Sequence, residues 1–177
     1  MGEVVVDVVR PDHVTPVEYR ALMSGFPTGV SVVTAMDGTG NPHGMTCTSL
    51  TSVTVTPPVL LVCLNVRSGT LGAALSSGGF AVNLLHSRGQ YAAELFSSPA
   101  SDRFCRTVWQ PSKVVRAPWL VADAFAVAEC VIEETMPTGD HVVLLGKVVN
   151  VDQSTDVPLL YGLKQFSAWM SESVTYR

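Results

Sequence analysis

Short apolar blocks, each closed off by turn residues, make up most of the chain, and their periods sort them into strands and helices. Residues 30–35 are rich in β-branched side chains and predict a strand. Asp37, Gly38, Gly40, Asn41 and Pro42 then supply turn chemistry before a second strand over 43–49, so the two form a hairpin. Residues 53–56 alternate with period two until Pro57 and Pro58 break the pattern, and 59–66 is the continuous apolar run of a strand covered on both faces. Further strands are expected over 80–85, 124–134 and 141–151, the last two joined by a turn at 136–140.

Helical period is rarer. Thr15, Pro16 and Glu18 give a hydroxyl cap, a proline in the first turn and an acid at the third position, which predicts a short helix from about Pro16 to Ser24. Leu71, Ala74 and Leu75 share a helical face within 69–77, closed by Gly78 and Gly79, and Tyr91, Glu94 and Leu95 do the same within 87–96. Residues 97–118, with three prolines and Trp109, predict a loop. Residues 1–14 stand outside the pattern as an N-terminal arm, which leaves 15–177 as one domain. Many strands joined by hairpin turns do not alternate as a βαβ repeat does. A closed or half-closed antiparallel barrel buries them with few exposed edges and leaves a mouth for a small molecule.

Composition adds a demand for a second surface. Hydrophobic residues make up 47% of the 177 positions and charged residues 15%, against roughly 25% charged in an average soluble domain. The surplus is most simply covered by another copy of the chain. No apolar run approaches the ~20 residues of a membrane-spanning helix, and the N-terminus lacks a basic region followed by a long apolar stretch. No membrane partner and no secretory leader are therefore expected, and a cytoplasmic location is the default. Lys and Arg number 11 against 15 Asp and Glu, a net charge of −4 with no basic run, which argues against nucleic acid as a partner. Cys47, Cys63, Cys105 and Cys130 are irregularly spaced without a C-x-x-C pair and predict buried free thiols instead of metal ligands.

No G-x-x-x-x-G-K-[ST], H-E-x-x-H or G-x-S-x-G occurs, so any chemistry is expected to come from a bound cofactor. Thr46, Thr48, Ser49, Thr51 and Ser52 crowd hydroxyls onto and just after a strand. That suits a ligand rich in acceptors, although Thr also favours strands and Ser turns for their own sake. Asn65, Arg67, Ser68 and Thr70 lie where a strand ends and a helix opens. They point either to an anion at the helix start or to a plain Ser68 cap. Asn83 sits inside an apolar run, where its carboxamide needs either a ligand edge or backbone partners. Gly139, Asp140 and His141 make a hairpin bend, or place His141 at the barrel mouth to donate to a substrate; His13, His43 and His86 read as surface residues.

Taken together, Phe26 to Val30 with Val33 and Thr34, Gly44 to Ser49 with Ser52, Val53, Pro57 and Pro58, Phe80 to Leu85, and Gly139 to His141 resemble the short-chain flavin reductases. These are the reductase components of two-component flavin-dependent monooxygenases, and the match runs from about Tyr19 to Trp169. The resemblance implies a mainly β fold, an FMN-binding split β-barrel, antiparallel and Greek-key-like with a few short helices, usually homodimeric. NADH or NADPH would reduce FAD or FMN by hydride transfer, with FAD and NADH the pair favoured by family habit. The reduced flavin would leave for a separate monooxygenase. Thr28, Thr46, Cys47, Thr48 and Ser49 would line the isoalloxazine with Ser52 and Val53 just beyond. Asn65 and Ser68 would approach the ribityl or phosphate, and Asn83 and Leu84 the flavin edge. Gly139, Asp140 and His141 match the family's nicotinamide-side motif, with His141 the candidate catalytic residue. Phe166 and Trp169 would cap the flavin or stack on adenine. Two alternatives stay open: a flavin-binding barrel without turnover, and a split-barrel oxidase holding FMN tightly, against which the scattered Lys and Arg count.

Overall fold

The computed structural model describes residues 13–170, so the expected N-terminal arm falls almost wholly outside the described residues. Chain order is α1 (Pro16–Ser24), β1 (Thr28–Gly29), β2 (Ser31–Met36), β3 (Pro42–Cys47), β4 (Thr51–Val55), β5 (Pro58–Asn65), α2 (Gly69–Ser77), β6 (Gly79–Leu85) and α3 (Gln90–Ser97). Then follow β7 (Gln110–Pro111), β8 (Pro118–Trp119), β9 (Ala124–Thr138), β10 (His141–Gln153), β11 (Leu159–Gly162) and β12 (Gln165–Ala168). The fold is mainly β and antiparallel, as expected. Among the described residues no helix is long and apolar enough to cross a membrane.

Seven strands form one sheet in the order β3-β2-β6-β9-β10-β5-β4. Hairpins join β2 to β3, β4 to β5 and β9 to β10, while the β5–α2–β6 crossover jumps two strands. The two edge strands β3 and β4 are consecutive in the chain, and the sheet curls until they nearly meet. Ser49, between them, ties the seam: its Oγ accepts the Cys63 N–H at 2.9 Å, donates to the Cys63 carbonyl at 3.2 Å and lies 3.1 Å from Cys47 Sγ. A curled sheet of this kind hides most of its edge without full closure.

Side-chain alternation along β2 feeds two cores. Val33 and Ala35 enter a cluster with Val62, Leu64, Phe80, Val82 and Leu144, roofed by Leu71 and Ala74 of α2. Val32 enters a second with Leu85, Ala92, Ala93, Phe96, Leu120 and Leu159, roofed by α3. Gly146 is required where β10 crosses the first core, because a Cβ there would lie 2.5 Å from the Phe80 ring. In the run at 59–66, Val62 and Leu64 are buried on one face and Val59 on the other, whereas Leu60, Leu61 and Cys63 are half-buried, so both faces are covered but incompletely. Every residue of β4 is exposed, and α1, despite a complete capping box between Thr15 and Glu18, buries none of its residues.

The 97–118 segment is more ordered than its prolines suggest. β7 pairs with β8, and the buried carboxylate of Glu129 gathers the turn between them: it accepts N–H groups of Lys113 (3.0 Å), Val114 (2.7 Å) and Val115 (2.8 Å) and the Asn150 amide (2.8 Å). Strand β9 also runs past the expected turn, through Met136 and Pro137, to Thr138. Its ladder with β6 ends at Val131, so at Pro137 one side of β9 is an edge, where a residue without an N–H is tolerated.

Candidate functional site

The hydroxyl-rich end of β3 forms the floor of the site. Four open depressions share walls at Thr46 and Thr48. The central one, about 310 Å3, is walled by Val30, Ala93 and Glu94 of α3, Tyr161 and Phe166. A second, about 390 Å3, lies at the start of α2 and collects His43, Arg67, Ser68, Gly69, Thr70 and Arg103. A third, about 540 Å3, runs between Met23, Phe26 and Thr28 on one side and Thr48, Ser49 and Leu50 on the other. The fourth, about 210 Å3, leads from Thr46 to Cys63 and His141.

The floor residues differ in how much hydrogen-bonding capacity they keep. Thr46 donates its hydroxyl to the Ala93 carbonyl, fixing β3 against α3 and leaving only acceptor capacity. Thr48 is exposed at the centre, and among the described residues its hydroxyl has no partner. Ser49 is engaged in the seam. Cys47 points into the first core, where burial pushes its thiol pKa up, so it is a packing residue and not a thiolate facing a ligand. Cys130, also buried, is pushed up to about 12.

At the α2 end, Ser68 caps the helix by accepting the Thr70 N–H at 3.2 Å and lies 3.1 Å from Met45 Sδ. Asn65 spends its carbonyl on the Arg67 N–H (2.9 Å), which shapes the turn into the helix. Arg67 itself is exposed and, among the described residues, makes no ion pair. Arg103 anchors to the Gly44 carbonyl at 3.0 Å and lies over the Phe96 ring. Positive charge and the Gly69 N–H, the helix-start amide left without a partner among the described residues, make this the anion-collecting end.

Beside this end Gly139 turns the β9–β10 hairpin with φ +59°, the Asp140 carbonyl accepts the Val66 N–H at 3.0 Å, and Asp140 Oδ1 lies 2.7 Å from His141 Nδ1. The hydrogen bond from His141 holds the Asp140 carboxyl below the usual carboxylate range. This fixes the imidazole through Nδ1 and leaves Nε2 free toward the fourth depression. His141 pairs with Asn65 across β5 and β10, so the histidine stands next to the turn that leads into α2.

The expected set is not all brought together. Thr28, Thr46, Thr48, Ser49, Ser68 and His141 converge on the cleft. Asn83 does not: it is wholly buried, and its carboxamide donates to the Val32 and Pro118 carbonyls and to Thr34 Oγ1 and accepts the Leu120 N–H. Its valences are filled by the chain, so it is not at a ligand edge. Leu84, next to it, packs against the first core. Ser52 borders a separate apolar depression with Val55 and Val59, and Val53 is exposed on β4. Trp169 is exposed and lines none of these depressions. Residues that sequence reasoning missed are Tyr161, which lines the central and third depressions and stands 5.1 Å ring to ring from Phe166, and Arg103 and His43 at the anion end. No sequence signal marked Tyr161, because the hairpin that sets it against Phe166 turns at Leu163 and Lys164.

The donor set fits a flat ring with a phosphorylated tail. Apolar and aromatic walls flank the centre, hydroxyls lie beneath it, and cations gather at one end. Comparison with known proteins points the same way. A family model described as "Flavin reductase like domain" matches residues 23–170. A curated relative from Lentzea aerocolonigenes, "Flavin reductase (NADPH)", is 56% identical over 90% of this chain and 94% of its own. The reductase component of the FADH(2)-dependent resorcinol hydroxylase of Rhizobium sp. (strain MTP-10005) is 38% identical over 85% of each chain. Among solved structures, the NADH:FAD oxidoreductase of Streptomyces globisporus C-1027, in complex with NAD and FAD fragments, superposes with a TM-score of 0.83 at 30% identity, covering 92% of this chain and 99% of that one. On sequence, fold and site together, this chain belongs to the flavin reductase family.

Proposed function

We propose that this chain is an NAD(P)H:flavin oxidoreductase that reduces FAD or FMN and releases the reduced flavin to a separate monooxygenase. The observation that carries the reading is that four depressions each border Thr46 or Thr48, with the cations at the start of α2 and His141 of the β9–β10 turn beside them. When bound, a flavin supplies the ring that accepts a hydride from the dihydronicotinamide. The chain's own part is binding and orientation. Val30, Ala93 and Phe166 exclude water from one wall; Thr48 hydrogen-bonds the polar edge; Arg67 and Arg103 supply charge to a phosphate, and the Gly69 N–H donates to it. His141, steadied by Asp140, meets the reductant from the fourth depression.

Loose flavin retention fits the openness of the cleft among the described residues, and a product that must leave. The relative at 56% identity is named for NADPH, which supports NADPH as the better reductant here. The relatives named as reductase components support a monooxygenase as recipient. A homodimer is supported by the unburied α1 and β4 and by the exposed Val53, Val55, Val149 and Val151. The decisive experiment follows NADPH and NADH oxidation by purified protein with FAD and with FMN. Catalytic turnover with added flavin is expected, with a higher kcat/KM for NADPH, and no turnover with any of the four pairs overturns the reading. Sedimentation is expected to give twice the 18.9 kDa chain mass.

A further inference from the structure

The β2–β3 turn carries a pair of residues that the reading above does not use. Asp37 Oδ1 accepts the N–H groups of Thr39 and Asn41, each at 2.9 Å, and the Thr39 hydroxyl at 2.7 Å. Its second oxygen, Oδ2, lies 3.0 Å from His43 Nε2. The Asn41 N–H, the His43 ring and Thr39 hold the Asp37 carboxyl well below the usual carboxylate range, so it is an acceptor that fixes the proton on Nε2. The other ring nitrogen, Nδ1, has no partner among the described residues. It abuts Gly69, the first residue of α2, so closely that a Cβ there would come within 3.0 Å of it. The ring therefore stands between a fixed carboxylate and the cationic depression, beside Arg67 and Arg103.

We propose that His43, oriented by Asp37, is a phosphate-binding residue of the flavin site, facing the phosphoryl oxygens through Nδ1 alongside the start of α2. This rests on the flavin reductase reading. Three chain segments then supply cations to one anion: the β2–β3 hairpin through His43, the β5–α2 junction through Arg67, and the segment after α3 through Arg103. Asp37 engages Nε2 and so leaves Nδ1 as the ring atom turned toward the anion. A surface histidine without such backing has no reason to face a helix start at van der Waals distance.

The test separates phosphate recognition from general damage by comparing flavins with and without phosphate. In His43→Ala, the KM and Kd for FMN and FAD are expected to rise about tenfold, those for riboflavin to stay within twofold, and kcat to hold. Asp37→Asn is expected to give the same selectivity at smaller size, about threefold, because the ring is kept but loses its support. Should His43→Ala fold poorly, Gly69→Ala displaces the ring from α2 without removing it and is expected to show the same contrast. Equal losses for riboflavin and FMN, or no change for either, overturn the proposal. Failure of the underlying flavin reductase reading appears separately, as wild-type protein that turns over none of the three flavins.

Discussion

Two polar clusters of this molecule look alike in the sequence and behave in opposite ways. Asn83 and Glu129 sit on neighbouring strands β6 and β9 with every carboxamide or carboxylate oxygen engaged by the chain. Thr48 and His141 sit around the cleft with hydrogen-bonding capacity left over. Both clusters put polar residues on or at the ends of strands, so residue type alone does not tell them apart. What separates them is bookkeeping of valences: a polar group whose partners are all internal holds the fold, and one with an unfilled valence at a cavity is available to a ligand.

The largest expected effect breaks the first cluster. Asn83→Ala strands the buried Leu120 N–H without a partner and removes three donated hydrogen bonds, leaving the Pro118 carbonyl to the Thr34 hydroxyl alone; it is expected to cost about 3 kcal/mol, a fall of about 10 °C in Tm, while kcat/KM of the folded fraction is unchanged. A variant that kept its Tm but lost flavin affinity would put Asn83 back in the site. Glu129→Gln comes next, at about 2 kcal/mol near neutral pH, read by urea unfolding. Burial raises the pKa of this carboxyl, but Ser112, the turn N–H groups and Asn150 outweigh it, so it is lowered in the folded state. Its contribution is therefore full above the unfolded carboxylate range and is lost as pH falls through the folded value. The wild-type advantage over Glu129→Gln is expected to shrink on acidification, and a constant difference would contradict the assignment.

The second cluster predicts smaller effects that appear in kinetics and not in stability. His141→Ala is expected to raise the KM for pyridine nucleotide about tenfold, about 1.4 kcal/mol, and that for flavin much less. Unchanged kinetics would remove His141 from the site. Thr48→Val is expected to raise flavin KM about fivefold, about 1 kcal/mol, with Tm shifted by no more than about 2 °C. A large loss of stability in Thr48→Val would erase the contrast between the clusters.

Much of the fold was legible because it is local. The Thr15–Glu18 capping box, the β-branched block at Val32 and Val33, and Gly78 with left-handed φ after α2 each specify structure within a few residues. The β11–β12 hairpin was not legible, because its turn places Leu163 and Lys164 at positive φ, where Gly or Asn is the usual signal. The site was partly legible through Thr46, Thr48 and Ser68, whose hydroxyls lie on one strand or at one cap. The fate of Asn83 was not, since its partners Pro118 and Leu120 arrive from a loop 35 and 37 residues away. Ser49 and Cys47 do border the cleft, and what the sequence did not show is their second role: curling the sheet also engages one in the seam and sets the other against the core.

The tie that Ser49 makes across the rolled sheet has a consequence for how a guest is handled. The surface beneath a bound ring is woven into the main ladder, so nothing there must order itself on arrival or come undone on departure. Capture and release can both be quick on such a rigid bed, and selectivity must come from the walls: α3 on one flank, the aromatic pair of the last hairpin on the other.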